Sequence, residues 1–413
     1  MNSKKLVVIG GGAAGFFCAV NAARMNPFLK VIIVEKGGSV LQKVKVSGGG
    51  RCNVTHACFD IDEMAKCYPR GDRFMRKAFH QFFTNDTIEW FDSRGVPLKT
   101  EDDNRMFPQS NNSQTIIDCL MNEMDDYKVE LQLHHSVEKI EPDENGFEVS
   151  FKNGEIIHAE FVMIACGGFQ KINQFDWLKN LDLKIETPVP SLFTFNFPKH
   201  PLNNLMGIAA PNASIKITGT KLSSEGPILI THWGLSGPAV LRLSAFAARD
   251  LEKINYKFSV MVNWCSEFNE QTFVKQIHEQ RKLFPAKKPS NGNFTGLASR
   301  LWEFMLLESG IDDAKKWSDL TSISINKLAK NCCAYEMNAE GKTTFKEEFV
   351  SAGGIALSEI DANTMMSKKY QGLYFGGEIL DVDGITGGFN FQHAWTSGFV
   401  AAKSIVKLIK NEK

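Results

Sequence analysis

The chain has 413 residues, and its 47 Lys and Arg are balanced by 47 Asp and Glu, so the formal net charge at pH 7 is zero. An apolar fraction of 43% is that of an ordinary globular protein, and the length suffices for about two to three domains with large buried cores. Because no excess charge attracts the chain to nucleic acid or to an anionic membrane, we expect a small-molecule substrate and neither of those partners.

The nine cysteines show no spacing typical of a disulfide framework or of a zinc site, and no secretory signal precedes the first predicted strand. No apolar run reaches the roughly 18 residues that a membrane-spanning helix needs. We therefore expect a cytoplasmic protein with no metal site and no catalytic disulfide. The oligomeric state is left open.

The segment 5–35 restricts the fold most. A β-branched apolar run at 6–9 stops at a cluster of glycines, a small-residue helical pattern follows at 13–25, and a second apolar run occupies 31–34. This order predicts a strand, a tight turn, a helix and a second strand, which is the start of a parallel α/β sheet.

Glycines at 10, 12 and 15 fill the pattern G-x-G-x-x-G in that turn. They permit the tight turn, the close approach of the backbone to a pyrophosphate and the close packing of helix on strand, while the helix N-terminus offers N–H groups to the phosphates. Glu35 follows the second strand, where a carboxylate accepts hydrogen bonds from a ribose diol. The pattern predicts a dinucleotide site, with NAD and FAD both open.

A glycine-rich segment follows at 36–58, and we predict that it is a loop. Three glycines at 48–50 precede Arg51 and Asn53. Backbone N–H groups and a guanidinium can contact an anionic ligand, so we expect this loop to meet the cofactor or the substrate rather than to be a plain surface loop.

The next part of the chain alternates helical and strand patterns. The apolar run 161–165, which ends at Gly167, has the character of a strand returning to the parallel sheet. Apolar periodicity predicts a helix over 73–94 and another from the cap at Asn112 to about 124. Alternating patterns predict a β-meander of four strands at 129–133, 137–140, 147–151 and 156–161.

Residues 190–350 have a different texture, and we predict that they are an insertion with a β-barrel-like part and a helical part at about 265–330. The exposed loop of this insertion is expected at 284–293, where prolines cluster. Strands are predicted at 192–197, 213–218, 228–231 and 258–262, and helices at 271–283 and 297–309.

The end of the chain carries a second junction between glycines and a helix. A short strand at 373–375 meets Gly377 and Glu378, and the pair Gly387-Gly388 precedes a helix predicted at 389–407. Two helix N-termini that address one molecule would suit a long ligand with a central diphosphate.

With these segments together, the chain resembles the two-dinucleotide-binding-domain flavoproteins. Within them it is similar to the aminoacetone-oxidase-like family of NAD(P)/FAD-dependent oxidoreductases, which includes bile-acid enone reductases. The resemblance rests on VVIGGGAAG (7–15), SGGGRCNVT (47–55), ITHWGLSGPAVL (230–241), SAGGI (351–355) and GLYFGGEILDVDGITGGFNFQ (372–392). Two positions depart from the family pattern, because His56 stands where Asn is typical and His393 where Trp is usual.

The resemblance implies a Rossmann-like FAD-binding domain built from both chain ends (1–189 and 351–413), with the inserted region 190–350 between them. It implies non-covalent FAD, with Glu35 on the adenosine ribose, Val137 on the adenine and the C-terminal motif along the flavin. The cofactor contacts predicted from motifs and resemblance together are Gly10, Gly12, Ala13, Ala14, Gly15, Glu35, Lys36, Gly49, Gly50, Arg51, Val137, Gly167, Gly377, Glu378, Gly387, Gly388, Phe389 and Asn390.

We interpret the protein as an FAD-dependent oxidoreductase that transfers a hydride between flavin N5 and a small organic substrate, by enone or alkene reduction or by amine or aminoketone oxidation. The candidates for catalysis are His232, Arg51 and Asn53, with a purely structural histidine as the alternative for the first. No second G-x-G-x-x-G is present, so NAD(P)H would bind only transiently as an electron donor. A rival interpretation is a flavin-binding protein that modifies RNA or associates with nucleic acid.

Overall fold

Residues 4–343 and 350–411 are described by a computed structural model. They form two compact units, the first from Met1–Pro190 and Lys346–Lys413 and the second from Ser191–Phe345. The first unit is thus discontinuous in sequence. The predicted start of its second part, residue 351, comes just after residues 344–349, which lie outside the described residues.

The strands alternate with helices in the first unit and dominate the first half of the second unit. In chain order they are β1 (Lys5–Ile9), β2 (Lys30–Val34), β3 (Thr55–His56), β4 (Leu98–Thr100), β5 (Arg105–Pro108), β6 (Glu130–Gln132), β7 (Val137–Pro142), β8 (Phe147–Phe151), β9 (Ile156–Ala159), β10 (Phe161–Ile164), β11 (Ile185–Pro190), β12 (Thr194–Asn196), β13 (Ala209–Ile217), β14 (Ser223–Ile230), β15 (Gly234–Ser236), β16 (Lys257–Asn263), β17 (Tyr335–Glu340), β18 (Lys342–Thr343), β19 (Ser351–Ile355) and β20 (Leu373–Phe375).

The α-helices are mostly short, and the C-terminal one is the longest. They are α1 (Ala13–Met25), α2 (Gln42–Gly50), α3 (Ile61–Ala65), α4 (Asp72–Phe79), α5 (Thr84–Asp92), α6 (Ser113–Asp126), α7 (Pro238–Lys253), α8 (Glu270–Leu283), α9 (Ser299–Glu308), α10 (Ser322–Cys333) and α11 (Phe389–Asn411). Short 3₁₀ segments lie at Ile172–Leu181, Pro201–Leu205, Pro289–Asn291, Trp317–Asp319, Leu357–Glu359 and Gly377–Ile379.

A five-stranded parallel sheet with the strand order β20-β10-β1-β2-β6 forms the centre of the first unit. Its middle strands are buried on both faces, as their continuous apolar runs require. Helices α1 and α11 pack together over one face, with Phe17 and Trp395 in ring contact at 5.2 Å. The strand from the C-terminal part of the chain therefore completes a sheet that the N-terminal part begins, which confirms the predicted Rossmann-like fold built from both chain ends.

Three local predictions for the first unit were wrong. The segment 129–133 is not part of the β-meander, because β6 pairs in parallel with β2, and the meander consists of β7, β8 and β9 alone. The periodic stretch 73–94 is two helices, since the Asp86 carboxylate caps the N–H of Phe83 at 2.6 Å and starts α5 anew. The segment 36–58 is not wholly a loop, because it contains α2, which kinks at Ser47.

The second unit contains a seven-strand antiparallel sheet with the order β17-β16-β13-β14-β15-β12-β18. Strands β17 and β18 are separated only by Gly341. They pair with strands at opposite ends of the sheet, β17 with β16 and β18 with β12. The sheet therefore closes on itself, which confirms the predicted barrel-like part. Helices α8, α9 and α10, which lie between β16 and β17 in the chain, form the helical part.

Two helices of the second unit were not predicted from the sequence. No helix was predicted between the strands at 228–231 and 258–262, yet α7 lies there, with Pro238 at the first helical position. Proline is favoured there because its missing N–H would be unpaired anyway. Helix α10 lies near the end of the predicted helical region but was not recognised as a separate element.

No helix among the described residues is both long and apolar enough to cross a lipid bilayer.

Candidate cofactor site

The carboxyl ends of three neighbouring strands, β1, β10 and β20, meet at one edge of the parallel sheet. Gly10 and Gly376 come directly after β1 and β20, and Gly167 comes three residues after the end of β10. A Cβ on Gly10 would lie 2.5 Å from the carbonyl oxygen of Ala165, so only glycine allows the two strand ends to approach so closely. A Cβ on Gly167 would meet nothing within 4 Å, and one on Gly12 only the same carbonyl at 4.0 Å. The strand ends are therefore packed on one another but open toward a ligand, as the cradle for a pyrophosphate requires.

The N-terminus of α1 points into this opening. Gly12 is the N-cap residue, and no side chain there accepts a hydrogen bond from the first helical N–H groups, which include those of Ala13 and Ala14. The first turn carries no acidic residue, so the positive end of the helix dipole is not neutralised locally. An anionic group is the chemical partner that such a helix start favours.

Glu35 follows β2, and its carboxylate is held by the chain itself. Its Oε2 accepts the N–H of Gly11 at 2.9 Å, and its Oε1 accepts the N–H of Gly37 at 2.8 Å. Each oxygen keeps a lone pair for a second donor. The carboxylate is thus held in a fixed orientation by two backbone N–H groups.

Two further predicted contacts for the adenosine end differ in accessibility. Lys36 is exposed, and its ammonium lies 5.9 Å from the ring centre of Phe169. Val137 is half-buried at the start of β7, in register with Phe151. The Val137 side chain has no polar atom, so only its backbone can form a hydrogen bond with a ligand.

The glycine-rich segment turns sharply after the kink in α2. Glycines 48, 49 and 50 all have positive φ, and a Cβ on Gly49 or Gly50 would meet nothing within 4 Å. The Arg51 guanidinium pairs with Glu101 at 2.6 Å and stacks over the ring of Phe107 at 4.0 Å. Its charge is therefore already balanced, so this loop offers backbone N–H groups rather than an unpaired cation.

Asn53 connects this loop to the C-terminal glycine pair. In the amide orientation that satisfies both of its ends, its nitrogen donates to the carbonyl oxygen of Thr55 and its oxygen accepts the N–H of Gly388, each at 3.0 Å. A Cβ on Gly388 would lie 2.5 Å from the backbone of Thr55, so the two segments touch backbone to backbone. The predicted site residues from the N-terminal loop and from the C-terminal motif are thus brought together.

The first half of the C-terminal motif is fixed by α11 and α2. The N–H of Gly377 donates to Ser397 Oγ at 2.9 Å. Glu378 accepts the N–H of Ser351 at 3.0 Å and also forms an ion pair with Lys43 of α2. Lys43 was not recognised from the sequence, because nothing marked it among the other lysines of that segment.

The second half of the motif uses its side chains for internal contacts. Phe389 is buried and stacks on His56 at 4.6 Å between ring centres, while the His56 Nδ1 lies 3.0 Å from the carbonyl oxygen of Gly387. The Asn390 amide pairs with both backbone groups of Gly384, at 2.8 and 2.9 Å. Phe389 and Asn390 can offer a ligand the backbone at the start of α11, because the Phe389 ring and the Asn390 amide are already in contact with the chain.

A buried ion pair and a buried polar network hold this loop, and the sequence did not reveal either. Asp383 is fully buried and pairs with Arg70 through two hydrogen bonds. Gln392 Oε1 accepts from the hydroxyl groups of Thr55 at 2.6 Å and Thr87 at 3.0 Å. The acidic DVD in the motif was a visible signal, but its partner lies more than three hundred residues away in the chain.

His232, the candidate acid–base residue, belongs to the second unit. It is exposed in the turn between β14 and β15, where the Thr231 N–H donates to the carbonyl oxygen of Gly234 at 2.8 Å. Its ring contacts Trp233 edge-on at 4.0 Å. The structure therefore places this imidazole at a surface turn.

Residues 4–404 match the family model described as the HI0933-like protein Rossmann domain. The chain belongs to this family. The resemblance to two-dinucleotide-binding-domain flavoproteins, read from the motifs, is thereby confirmed.

Curated relatives cover nearly the whole chain. The 3-dehydro-bile acid delta(4,6)-reductase of Clostridium scindens is 28% identical over 97% of this chain and 98% of its own. The ribosomal RNA dihydrouridine synthase of Escherichia coli is likewise 28% identical, over 97% of each chain. Among solved structures, the 3-ketosteroid delta1-dehydrogenase of Sterolibacterium denitrificans superposes with a TM-score of 0.50 at 13% identity, covering 99% of this chain and 100% of that one. That last likeness shows a shared fold.

The Arg70–Asp383 pair generates a stability prediction. Arg70→Met should lower the free energy of unfolding, measured by urea denaturation, by about 3–5 kcal/mol, because it removes the guanidinium that pairs with a fully buried carboxylate. As a control, Lys253→Met removes an exposed partner of Asp250 and should change that free energy by less than about 1 kcal/mol. Equal, small effects of the two variants would contradict the role given to the buried pair.

Proposed function

We propose that this protein is an FAD-dependent oxidoreductase that reduces a carbon–carbon double bond conjugated to a carbonyl group in a small organic substrate. The observation that carries the proposal is that Gly377 of the C-terminal motif lies against Ala14 at the first glycine-to-helix junction, while a second such junction follows in the same motif at Gly388. Such a pair suits a ligand with a diphosphate in the middle and an electron-poor ring at one end.

The residues fit FAD along its length. The oriented Glu35 carboxylate is suited to the adenosine ribose and would repel a 2′-phosphate, while the open backbone at Gly12 and the start of α1 suit the pyrophosphate. Gly377, Glu378 and the start of α11 are assigned to the ribityl chain and the isoalloxazine. When bound, FAD supplies exchange of a hydride at N5 with a substrate carbon.

The start of α11 would also tune the cofactor. A helix N-terminus favours a nearby negative charge by about 0.3–2 kcal/mol, and more where water is excluded. If it addresses the pyrimidine edge of the flavin, it stabilises the charge that reduction places there. The glycine pair fixes this helix start against the backbone of Thr55, because a Cβ on Gly388 would lie 2.5 Å from it.

Reduction is proposed over amine or aminoketone oxidation because the Clostridium scindens relative is named for reducing double bonds in a 3-oxo steroid. In that reaction a hydride adds to the carbon β to the carbonyl and a proton adds to the α carbon. The reducing equivalent would come from NAD(P)H, which binds transiently because no second G-x-G-x-x-G is present.

RNA is not the substrate that we propose. The Escherichia coli relative is named for dihydrouridine formation, and that reaction also saturates a double bond conjugated to a carbonyl. The chemistry is therefore common to both named relatives, and the substrates differ. The equal numbers of basic and acidic residues provide no field of the kind on which RNA binding depends, so we favour the small enone.

The cysteine of the SGGGRCN stretch, Cys52, has no part in the proposed chemistry. Cys52 is buried, and burial raises the pKa of its thiol to about 12, so it is uncharged at neutral pH. A thiolate is the reactive form of cysteine. Arg51 and Asn53 stay our candidates for contact with the flavin or the substrate, and His232 stays our candidate for proton transfer.

Gly12→Asp should abolish FAD binding. The backbone at Gly12 is extended, with φ −95° and ψ −174°, and its Cβ position is open, so the variant should fold while placing a carboxylate where the pyrophosphate approaches. Flavin content and thermal midpoint of the purified variant test this, with Gly12→Ala as the uncharged control, expected to bind FAD more weakly than wild type but detectably. A yellow Gly12→Asp protein would move the phosphate site elsewhere.

Photoreduced protein, mixed anaerobically with a 3-oxo-4-ene steroid, should show return of the oxidised flavin spectrum. The matched saturated ketone should give none, because it lacks the double bond. Reduction of the oxidised protein by an aminoketone, with no response to enones, would show an oxidase instead. Reoxidation by uridine-containing RNA alone would support the RNA-modifying alternative.

Cys52→Ser should leave flavin content and turnover unchanged, because a thiol with so high a pKa supplies no nucleophile at neutral pH. Turnover with the enone, measured from pH 6 to pH 9, is expected to follow that of the wild type at each pH. A variant that keeps its flavin but loses turnover would reveal a thiol mechanism.

A further inference from the structure

A buried histidine on α11 has a ring nitrogen without a partner. His393 is 1% exposed, and its Nε2 forms no hydrogen bond with any part of the chain that the structure describes. Leaving a buried polar atom unpaired is unfavourable, and most such atoms in native proteins have a partner from the chain, from water or from a ligand. We therefore expect the Nε2 to have a hydrogen-bond partner that is not part of the chain.

The position of His393 on the helix indicates what that partner is. It lies one turn after Phe389 and one turn before Ser397, so the three residues share one face of α11. Ser397 Oγ accepts the N–H of Gly377, and the helix starts directly after Gly388. His393 is therefore situated between the two halves of the C-terminal cofactor motif.

The neighbouring contacts place this face beside the cradle of the first motif as well. A Cβ on Gly377 would lie 2.9 Å from the Cβ of Ala14, and one on Gly398 would lie 2.6 Å from the Ala14 carbonyl oxygen. The third turn of α11 thus lies next to the N-terminal turn of α1. A ligand that extends from the start of α1 to the start of α11 therefore runs along the first two turns of α11, which include His393.

The charge state of the ring limits the ligand group. Burial lowers the pKa of His393 to about 3, so the imidazole is neutral near pH 7. A neutral imidazole has one N–H donor and one acceptor nitrogen. It suits a hydroxyl or a carbonyl group rather than a phosphate, for which the N-terminus of α1 is the better partner.

We propose that His393 is a cofactor-binding residue whose Nε2 hydrogen-bonds to the uncharged ribityl–isoalloxazine half of FAD. The inference rests on the proposed function and names a contact beyond the predicted cofactor set. Its alternative is that the imidazole merely fills space in the interface of α11, in which case its nitrogen has no role in binding.

The two roles predict different combinations of effects. His393→Leu removes the unpaired nitrogen, so FAD-free protein should unfold at the same temperature as wild type or higher, while the dissociation constant for FAD should rise about 10-fold. His393→Gln restores a donor and an acceptor and should recover most of that affinity. The measurements are the thermal midpoint of full-length FAD-free protein and titration with FAD by fluorescence.

A matched control lies on the same helix. Ile405 is fully buried and lies about three turns after His393. Ile405→Val should lower the thermal midpoint and leave the FAD dissociation constant within about twofold, because it removes buried apolar contacts away from the proposed contact. Where a FAD-free variant does not fold, the rate of flavin release from the diluted holoprotein replaces the titration, and His393→Leu should release FAD about 10-fold faster.

The outcomes separate this inference from the proposed function. Wild-type protein that binds no FAD overturns both. If the wild type binds FAD and His393→Leu binds it equally well, only the contact is overturned. The same holds if His393→Leu loses affinity together with thermal stability and His393→Gln restores neither, because that combination is what space-filling predicts.

Discussion

The close approach of α1 and α11 around Ala14 is the constraint on which the candidate site depends. Gly398 lets the helices touch so closely that a Cβ there would lie 2.6 Å from the Ala14 carbonyl oxygen, and Gly377 fits against the Ala14 side chain. This contact brings the first turn of α1 against the third turn of α11, a helix from the opposite end of the chain. Without it, the two glycine motifs would be separate anion sites rather than one elongated site.

The segment between β2 and β10 supports that arrangement by holding the C-terminal motif in place. Thr55 touches Gly388 backbone to backbone, His56 stacks on Phe389, Tyr68 donates its hydroxyl hydrogen to the carbonyl oxygen of Phe389 at 2.6 Å, and Arg70 pairs with Asp383. The contacts are buried or half-buried, where an unpaired polar group is costly. The glycine pair is therefore fixed by the protein before a cofactor binds.

The chemistry proposed for the site follows from what the chain offers to a ligand. The cradle presents backbone N–H groups and two helix N-termini, while its charged side chains, Glu35, Arg51 and Glu378, are already engaged with the chain. Such a site binds and orients a cofactor and adds few reactive groups of its own. This is the division of labour expected of a flavoprotein, in which the cofactor carries the reactive centre.

The sequence by itself determined the elements with strong local signals. The strand-turn-helix-strand unit at the N-terminus, the cap at Asn112, the strand 373–375 and the start of α11 all lie where the pattern placed them, because glycine turns, caps and apolar periods act within a few residues. It also determined the family, since the motifs that identify it are short and contiguous.

Only the tertiary structure decided which distant residues meet. The pairing of β6 with β2, the capping of α5 by Asp86, the Arg70–Asp383 pair and the position of His393 between the two halves of the motif depend on chain segments far apart or on competing local contacts. A periodic apolar pattern does not specify the partner strand. The sequence around an isolated Arg or His does not show whether its side chain is buried. Those choices are made by packing, where the free energy of burying each polar group depends on the partner that the fold supplies.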